Sequence, residues 1–444
     1  MRDTLDNTQC GRPVSLMIWL ANLEELKSAY GGALAEAAVQ TCLERLAGLG
    51  MASHQIARNG ATIMVADFLP QALEATGDRG EQRWAEAIQS ALGCDPVQHA
   101  STQAYLQVEV EALGCISMSG AHEMQGRHGF SSYRRQVPES GRLRARWSRS
   151  YQDDMQLAGR LLDELRLGQL ALALQPVAAL GADGTGDALY HECLLRRRQL
   201  AVYDNYTVPE AIEALERLGL VSRLDRSVLW SVLGALQACS GHSLGCNLSA
   251  SSFVDEAWWD GLFTYLEDRP DVARRLVVEI TETSAFPCER SALALVRHLQ
   301  ILGVRVALDD IAPKRGGLDI LSRLRANIIK LDRSVLEPVD GRRSPRMLQD
   351  LVRLCADGGA CVVLEGIESA EDLVAAWRAR VHGVQGFFVA RPSLLRHGLF
   401  DEVVGVEDVL QPTDAVASDW AELSLSWAGA VARPEATPYT LARA

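Results

Sequence analysis

Eight short apolar runs alternate with amphipathic helical patterns over residues 151–402 of this 444-residue chain. Apolar runs bounded by polar residues are typical of fully buried strands. Strands and helices that alternate over about 250 residues predict an α/β fold, a (β/α)8 TIM-like barrel. An open doubly wound sheet is the alternative, although no Gly-rich phosphate loop follows the first run. The predicted strands are Leu170–Val177, Ala188–Leu195, Ser243–Leu248, Arg275–Ile280, Val304–Asp310, Asn327–Leu331, Ala360–Glu365 and Gly383–Val389. The predicted helices between them include Val221–Ala238, Ser291–Leu302, Met347–Ala356 and Ala370–Arg378.

Polar or acidic side chains stand at the ends of most of these strands. The carboxyl ends of barrel strands meet at one face, where such barrels bind their ligands, so we expect these side chains to share a site. A single acid at a strand end is more often solvated or caps a helix, but four such strands together favour a binding site. The residues are Gln175, Glu192, Asn247, Glu279, Asp309 with Asp310, Lys330, Glu365 and Gln385.

The chemistry of these side chains favours a hard divalent cation. Oxygen ligands without a nearby His or Cys suit Mg²⁺ or Mn²⁺, and none of the nine histidines has a zinc-type spacing. The adjacent Asp309 and Asp310 repel each other unless a cation neutralises them. Several carboxylates around this pair suit a two-metal site that activates water against a phosphodiester. Lys330 can stabilise the developing phosphoryl charge or orient the attacking water.

Charge and composition limit the partners. A net charge of −13 argues against non-specific binding to nucleic acid or to an anionic membrane surface. The ten cysteines are scattered without a CxxC pair, as expected for reduced thiols. The sequence has no apolar run of membrane-span length and no signal-peptide profile at its N-terminus. These features predict a soluble cytoplasmic protein.

The strand-end residues belong to ordered motifs that resemble those of EAL domains, the bacterial phosphodiesterases that linearise cyclic di-GMP. The resemblance covers about residues 151–392, and the namesake motif carries Cys193 in place of alanine, which changes no ligand. The motifs are Gln175-Pro176-Val177, Glu192-Cys193-Leu194-Leu195-Arg196, Asn247-Leu248-Ser249, Glu279-Ile280-Thr281-Glu282, Asp309-Asp310, Lys330-Leu331-Asp332, Glu365-Gly366-Ile367-Glu368 and Gln385-Gly386-Phe387.

The resemblance implies a role for each of these residues and an antiparallel first barrel strand. One metal would be bound by Glu192, Asn247, Glu279 and Asp309, and the second by Asp309, Asp310 and Glu365. Catalysis would fall to Lys330, which contacts the nucleophilic water, together with Glu365 and Glu192. The dinucleotide would be held by Gln175, Arg196, Asp332, Gln385 and Phe387, with Arg196 suited to two phosphate oxygens. Glu282 would anchor the loop that follows the double Asp.

That loop departs from the family pattern. The family usually continues Phe-Gly-Thr-Gly-Tyr-Ser-Ser after the double Asp, whereas residues 311–317 here read IAPKRGG. Ala312 and Pro313 restrict the backbone where the family has Gly and Thr. The loop couples the metal site to the family's dimer interface, so the departure affects rate and regulation more than ligand binding.

The N-terminal region, residues 1–120, predicts a smaller α+β domain. The pattern comprises a strand at Ser15–Leu20, a helical stretch Leu23–Leu46, a hairpin His54–Phe68 around Asn59-Gly60, a helix Glu81–Leu92 and a strand near Ala104–Val110. Asn-Gly between apolar runs is a strong hairpin signal, and the order predicts an antiparallel sheet. The layout resembles a degenerate GGDEF (diguanylate cyclase) domain. The turn Arg58–Ile63 and the upstream Leu20-Ala21-Asn22 lack the family's acids, so cyclase activity is not expected.

Two further segments complete the predicted organisation. Residues 121–150 are rich in arginine and predict an interdomain linker, and a helix is expected from Tyr151 to Leu165. The barrel domain would span residues 151–402, and residues 403–444 form a tail without a predicted role.

Three functions follow from these patterns. The first is metal-dependent hydrolysis of cyclic di-GMP to linear pGpG. The second is a weak or inactive cyclic di-GMP receptor that signals through a protein partner, and the third is a scaffold indifferent to the nucleotide. A homodimer is the expectation that comes from the family.

Overall fold

The computed structural model describes residues 14–68, 80–113, 137–138, 141–181, 184–198, 206–254, 257–281, 285–312, 323–336 and 345–394. The chain divides into two compact units, one built mainly from residues up to Gly159 and the other mainly from Arg160 onward. Glu282, Pro313 to Gly317 and the tail 403–444 lie outside the described residues, so the predictions made for them stay predictions. The predicted domain boundaries likewise stay predictions.

The first unit contains a four-stranded antiparallel sheet, as the sequence predicts. Its strand order is β2-β3-β1-β6, and β4 and β5 form a separate two-stranded pair. The strands are β1 Val14–Leu20, β2 Ile56–Asn59, β3 Thr62–Phe68, β4 Val97–His99, β5 Thr102–Ala104 and β6 Val108–Ala112. The helices are α1 Leu23–Tyr30, α2 Gly32–Gly48 and α3 Gly80–Gly93.

Three local predictions in this unit were wrong in detail. The helical stretch Leu23–Leu46 is divided at Gly31, whose φ of 95° is left-handed and incompatible with a continuous helix. The hairpin turn lies one residue later than predicted, because Asn59 pairs with Thr62 and leaves Gly60 and Ala61 as the turn. The strand Ala104–Val110 is interrupted where the backbone oxygen of Gln107 accepts from the Ala21 N–H instead of a ladder partner.

The second unit is a closed eight-stranded barrel, which confirms the predicted fold class. Strands β7 to β14 are neighbours in chain order, and β14 pairs with β7 to close the ring. The first strand runs antiparallel to both of its neighbours, and the other pairings are parallel. The strands are β7 Leu170–Gly181, β8 Gly184–Arg197, β9 Leu244–Ser249, β10 Leu276–Thr281, β11 Arg305–Ile311, β12 Ile328–Leu331, β13 Cys361–Leu364 and β14 Gly383–Val384, with β15 Ser393–Leu394 added beside β7.

Helices lie between most of these strands, as the alternating pattern predicts. They are α5 Val208–Leu218, α6 Val221–Ala238, α7 Ala257–Glu267, α8 Pro270–Arg275, α9 Glu289–Ile301, α10 Pro345–Asp357 and α11 Ala370–Ala379. The core contains one buried side chain from each of six barrel strands: Val177, Tyr190, Val277, Ala307, Ile328 and Val363. The barrel is therefore packed through its centre, and a ligand can approach only at an end.

The predicted strand Gly383–Val389 is only two residues long. After Val384 the chain turns against the segment that follows β13, where the N–H of Ile367 donates to the Gln385 oxygen and the N–H of Phe388 donates to the Ile367 oxygen. The backbones come so close that a Cβ at Gly386 would lie 2.2 Å from the Ile367 nitrogen. This contact ends the strand and places Gln385 at the rim of the barrel.

A long helix, α4, spans Gly141–Arg166 and begins ten residues earlier than predicted. Its first turns fall in the segment predicted as a linker. Arginine favours helices nearly as well as leucine does, so a run poor in apolar residues can still be helical. Among the helices of the described ranges, none combines the length and apolarity that a membrane crossing requires.

Candidate active site

The barrel topology brings the predicted site residues to one end of the strands. Glu192, Glu279 and Lys330 lie on β8, β10 and β12, which are alternate strands of the barrel, and parallel register aligns Glu279 with Asn247 and with Ala307. Glu365 and Gln385 follow directly after β13 and β14. Gln175 lies on the antiparallel β7, where it pairs with Glu192. The structure therefore places these side chains at one end of the barrel.

Lys330 forms the centre of the site. It is fully buried, and its ammonium nitrogen contacts four carboxylates. The distances from Nζ are 2.6 Å to Glu279 Oε2, 2.7 Å to Glu365 Oε1, and 3.1 Å to both Glu192 Oε2 and Asp309 Oδ1. A buried lysine needs such compensation, because desolvation of an unpaired charge is costly.

Side-chain amides complete the surroundings of Glu192. Asn247 donates to Oε1 at 2.6 Å, and Gln385 donates to Oε2 at 2.6 Å. The same Gln385 nitrogen lies 3.3 Å from the amide oxygen of Gln175. The amide nitrogen of Gln175 donates to the backbone oxygen of Ala390 at 3.1 Å. Glu192 is thus held in one position by donors from three strands or strand ends, counting Lys330.

Asp309 and Asp310 reach the same group although adjacent residues of a strand normally point to opposite faces. Asp310 has a φ of 57°, in the left-handed region, and the pairing register with β12 shifts between Leu308 and Ile311. This irregularity breaks the alternation of β11. Oxygens of Asp309, Asp310 and Glu365 consequently lie within 4.8 Å of one another, as do those of Glu192, Glu279 and Asp309.

Burial and charge shift the pKa values of these groups in different directions. Burial, followed by repulsion from Asp309, raises the pKa of Glu365 well above its usual range, although Lys330 opposes the shift. Burial also raises the pKa of Glu279 to about 8, again against the attraction of Lys330. Burial pushes the pKa of Glu192 up, but Lys330 and the donors Gln385 and Asn247 outweigh it and lower that pKa. Burial would lower the pKa of Lys330, but the surrounding acids raise it well above its usual value.

The donor set fits a hard divalent cation. Among the described residues, the Asn247 Oδ1 and Glu279 Oε1 atoms are buried oxygens without a hydrogen-bond partner. A buried acceptor without a partner costs free energy unless a cation or another donor satisfies it. Amide and carboxylate oxygens, such as these and those of the two clusters of three acidic residues, are the ligands that Mg²⁺ and Mn²⁺ prefer.

Three predicted ligand-binding residues are not among the side chains that contact Lys330 in the described part of the chain. Arg196 is exposed at the end of β8, and Phe387 is 57% exposed with the Arg391 guanidinium 5.3 Å from its ring centre. Asp332 accepts from the Ser334 N–H at 2.9 Å and caps the short turn that follows β12. The geometry leaves Arg196 and Phe387 open to a ligand, whereas Asp332 has a local structural contact.

One residue that the sequence analysis missed contacts the cluster. The hydroxyl of Tyr190 donates to Glu279 Oε2 at 3.2 Å, and Tyr190 is buried. It stands two residues before Glu192, so the two-residue period of a strand places both side chains on one face. That period was the available signal.

A TIM-like barrel with clustered acids at its strand ends defines a candidate metal-dependent site, and the EAL domain family model matches residues 158–392 of this barrel. The chain therefore belongs to the EAL domain family. It is 24% identical over 256 residues to the cyclic di-GMP phosphodiesterase PdeF of Escherichia coli, and this match covers 56% of this chain and 33% of PdeF. It is 29% identical over 251 residues to the cyclic di-GMP phosphodiesterase NbdA of Pseudomonas aeruginosa, covering 54% of this chain and 31% of NbdA.

The chain thus spans less than half the length of these curated relatives. Among solved structures, the EAL domain of FimX from Pseudomonas aeruginosa bound to c-di-GMP has 24% sequence identity and a TM-score of 0.44. That match covers 53% of this chain and 96% of the FimX domain.

Proposed function

We propose that this chain is a divalent-metal-dependent phosphodiesterase that hydrolyses cyclic di-GMP to linear pGpG. The observation that carries the proposal is the group of four carboxylates around the buried Lys330 at the strand ends. Membership of the EAL domain family supports it, because the relatives PdeF and NbdA are named as cyclic di-GMP phosphodiesterases.

The proposal assigns two metal positions. Glu192, Asn247, Glu279 and Asp309 would hold one Mg²⁺ or Mn²⁺, and Asp309 with Asp310 and Glu365 would hold the other. A divalent ion bound there supplies Lewis acidity, which lowers the pKa of water and neutralises phosphate charge. Two such ions would also remove the repulsion between an acidic protein and an anionic dinucleotide.

Lys330 is the group proposed to hold and orient the attacking water. Its pKa is raised well above the usual value by the acids around it, so it stays an ammonium and a hydrogen-bond donor. Glu192 and Glu365 contact this ammonium from different strands and would keep it directed at the water. A positioned donor of this kind stabilises charge that develops in the transition state.

The dinucleotide would be bound at the rim. The planar fork of Arg196 can pair with two phosphate oxygens, and the exposed ring of Phe387 can stack on a guanine base. Gln175 and Gln385 contribute amides whose positions are fixed by the network around Glu192. Asp332 completes the proposed set.

The test is an assay of the purified chain with cyclic di-GMP and Mg²⁺ or Mn²⁺, in which the linear product is separated by chromatography. The expected result is metal-dependent formation of pGpG that stops when a chelator is added. Turnover that persists in chelator would contradict the metal assignment.

The altered loop favours a second candidate, a cyclic di-GMP receptor that acts through a protein partner. Ala312 and Pro313 stand in this loop where the family has Gly and Thr, which restricts the backbone, and Ala312 is fully buried. Binding measured by calorimetry alongside the assay separates the candidates, because a receptor binds the dinucleotide and forms no product.

The first unit is proposed to be GGDEF-like and to regulate or dimerise the chain. Arg58–Ile63 contains no carboxylate, so two-metal cyclase chemistry lacks its ligands there. The full chain with Glu192→Ala, incubated with GTP, is expected to form no cyclic di-GMP. Formation of the cyclic dinucleotide would contradict this assignment, and a dimer in solution would support the proposed homodimer.

A further inference from the structure

Tyr190 lies inside the barrel on the N-terminal side of the acid cluster. Its side chain is buried and belongs to the core that includes Val277 and Ala307. It is the only member of that core cluster with a polar group, because the other five central side chains are aliphatic. A buried tyrosine hydroxyl needs a hydrogen-bond partner, and here the partner is a carboxylate of the site.

The hydroxyl of Tyr190 and the ammonium of Lys330 contact the same oxygen. Tyr190 donates to Glu279 Oε2 at 3.2 Å, and Lys330 Nζ lies 2.6 Å from that atom. The other oxygen, Oε1, has no hydrogen-bond partner among the described residues. Two donors on one oxygen restrict the rotation of the carboxylate and leave the second oxygen available.

Gly245 on β9 provides the space for this arrangement. A Cβ at that position would lie 2.0 Å from Glu279 Oε1 and 2.8 Å from the Tyr190 ring. Any larger residue would therefore displace either the carboxylate or the ring. The Tyr190 ring packs on one side of the Glu279 carboxylate, and Gly245, which has no Cβ, leaves the space that this carboxylate occupies.

We propose that Tyr190 is a positioning residue of the metal site, which orients the Glu279 carboxylate for a divalent cation through its hydroxyl. The inference rests on the proposed function, since it takes Glu279 as a metal ligand. Partners that orient a ligand in this way typically contribute about 10- to 100-fold to metal affinity. Tyr190 need not touch the substrate or the reacting atoms.

The test compares Mn²⁺ binding by the metal-free full chain and its Tyr190→Phe variant, measured by calorimetry with no nucleotide present. Phe retains the ring and the packing, so the variant removes the hydroxyl alone. Tyr206→Phe is the matched control, because Tyr206 is also buried in this unit but its ring contacts Arg197, which is outside the proposed metal-ligand set. We expect Mn²⁺ affinity to fall about 10-fold or more in Tyr190→Phe and to stay unchanged in Tyr206→Phe.

Kinetics supply a second readout. At subsaturating Mn²⁺ the kcat of Tyr190→Phe should fall, and it should recover when Mn²⁺ is saturating, with KM for cyclic di-GMP unchanged. A purely structural role would lower the unfolding temperature without this dependence on Mn²⁺. Equal Mn²⁺ affinity in the folded Tyr190→Phe variant and in the wild type would overturn the inference.

Two further outcomes separate this inference from the proposed function. A wild type that binds Mn²⁺ without hydrolysing the dinucleotide overturns the phosphodiesterase assignment, while weaker binding by Tyr190→Phe still supports the role of Tyr190. A wild type that binds no Mn²⁺ overturns both. If Tyr190→Phe does not fold, Gly245→Ala is the second variant, and unchanged Mn²⁺ affinity there would overturn the inference.

Discussion

The ammonium nitrogen of Lys330 lies 2.6 Å from Glu279 Oε2, and neither side chain is exposed to solvent. Three further carboxylates, those of Glu192, Asp309 and Glu365, lie 2.7 to 3.1 Å from the same nitrogen. One buried cation therefore compensates four acids that would otherwise repel one another in a low dielectric. The stability of the barrel end and the proposed chemistry depend on the same group.

Replacement of Lys330 by Met should separate these two roles. Removal of one partner from a buried charge cluster typically costs about 3–5 kcal/mol, so the free energy of unfolding without metal should fall by that order. Turnover should fall at least ~100-fold, because a preorganised donor for the transition state is lost. Urea unfolding and the chromatographic assay measure the two effects. Retained turnover would exclude Lys330 from the reaction.

Substitution of a proposed metal ligand should abolish hydrolysis and leave the fold intact. Glu192→Ala and Asp309→Ala each remove an oxygen ligand, and a loss of several kcal/mol of charge stabilisation corresponds to at least ~100-fold in rate. The matched control is Asp268→Ala, which removes an exposed acid just after α7. Circular dichroism checks folding. If both variants hydrolyse cyclic di-GMP at the wild-type rate, the metal site has been assigned to the wrong residues.

Asp225 should make stability depend on pH. It is buried on α6 and accepts from the Ser249 N–H at 2.9 Å and the Ser252 hydroxyl at 2.6 Å, and burial raises its pKa to about 7 although these donors oppose the shift. Between pH 4 and 7 the folded protein holds a proton that the unfolded chain releases. The resulting stability is present at low pH and is lost as the pH rises through 7.

Asp225→Asn keeps a neutral acceptor at all pH values, so it should remove this dependence. The free energy of unfolding, measured in urea, should fall between pH 5 and pH 7.5 by up to roughly 3 kcal/mol more in the wild type than in the variant. Contributions from other groups, such as His191, are common to both proteins. Parallel profiles would show that Asp225 does not titrate in this range.

A matched pair of glycine variants tests the rim contact. Gly386→Ala would place a Cβ 2.2 Å from the Ile367 backbone and should destabilise the fold by about 1–3 kcal/mol or more. Gly234 is an exposed position of α6 with no atom near an added Cβ, so Gly234→Ala should stabilise the fold by about 0.5–1 kcal/mol. Thermal unfolding compares the two. Equal midpoints would mean that the close approach at Gly386 is absent in solution.

The sequence predicts the barrel well because its signal is local and repeated. The helix predicted at Val221–Ala238 matches in full, and the strand predicted at Asn327–Leu331 differs from the observed one by a single residue. Strand-end acids such as Glu192 and Glu279 also follow from pattern, since the carboxyl ends of parallel strands share an edge.

Other features depend on contacts that no local pattern contains. The left-handed backbone of Asp310 brings two adjacent carboxylates to one group, although strand alternation would separate them. The strand at Gly383 ends after two residues because of a backbone contact with Ile367. The interaction of Tyr190 with Glu279 joins strands that are 89 residues apart in sequence, so only the closed barrel brings it about.

The most direct test of the central claim is incubation of the purified chain with cyclic di-GMP and Mg²⁺ or Mn²⁺, with product followed by chromatography and binding by calorimetry. We predict formation of linear pGpG that requires the metal and stops on chelation. Tight binding of cyclic di-GMP without any product, in either metal, would contradict the phosphodiesterase assignment and identify the chain as a receptor.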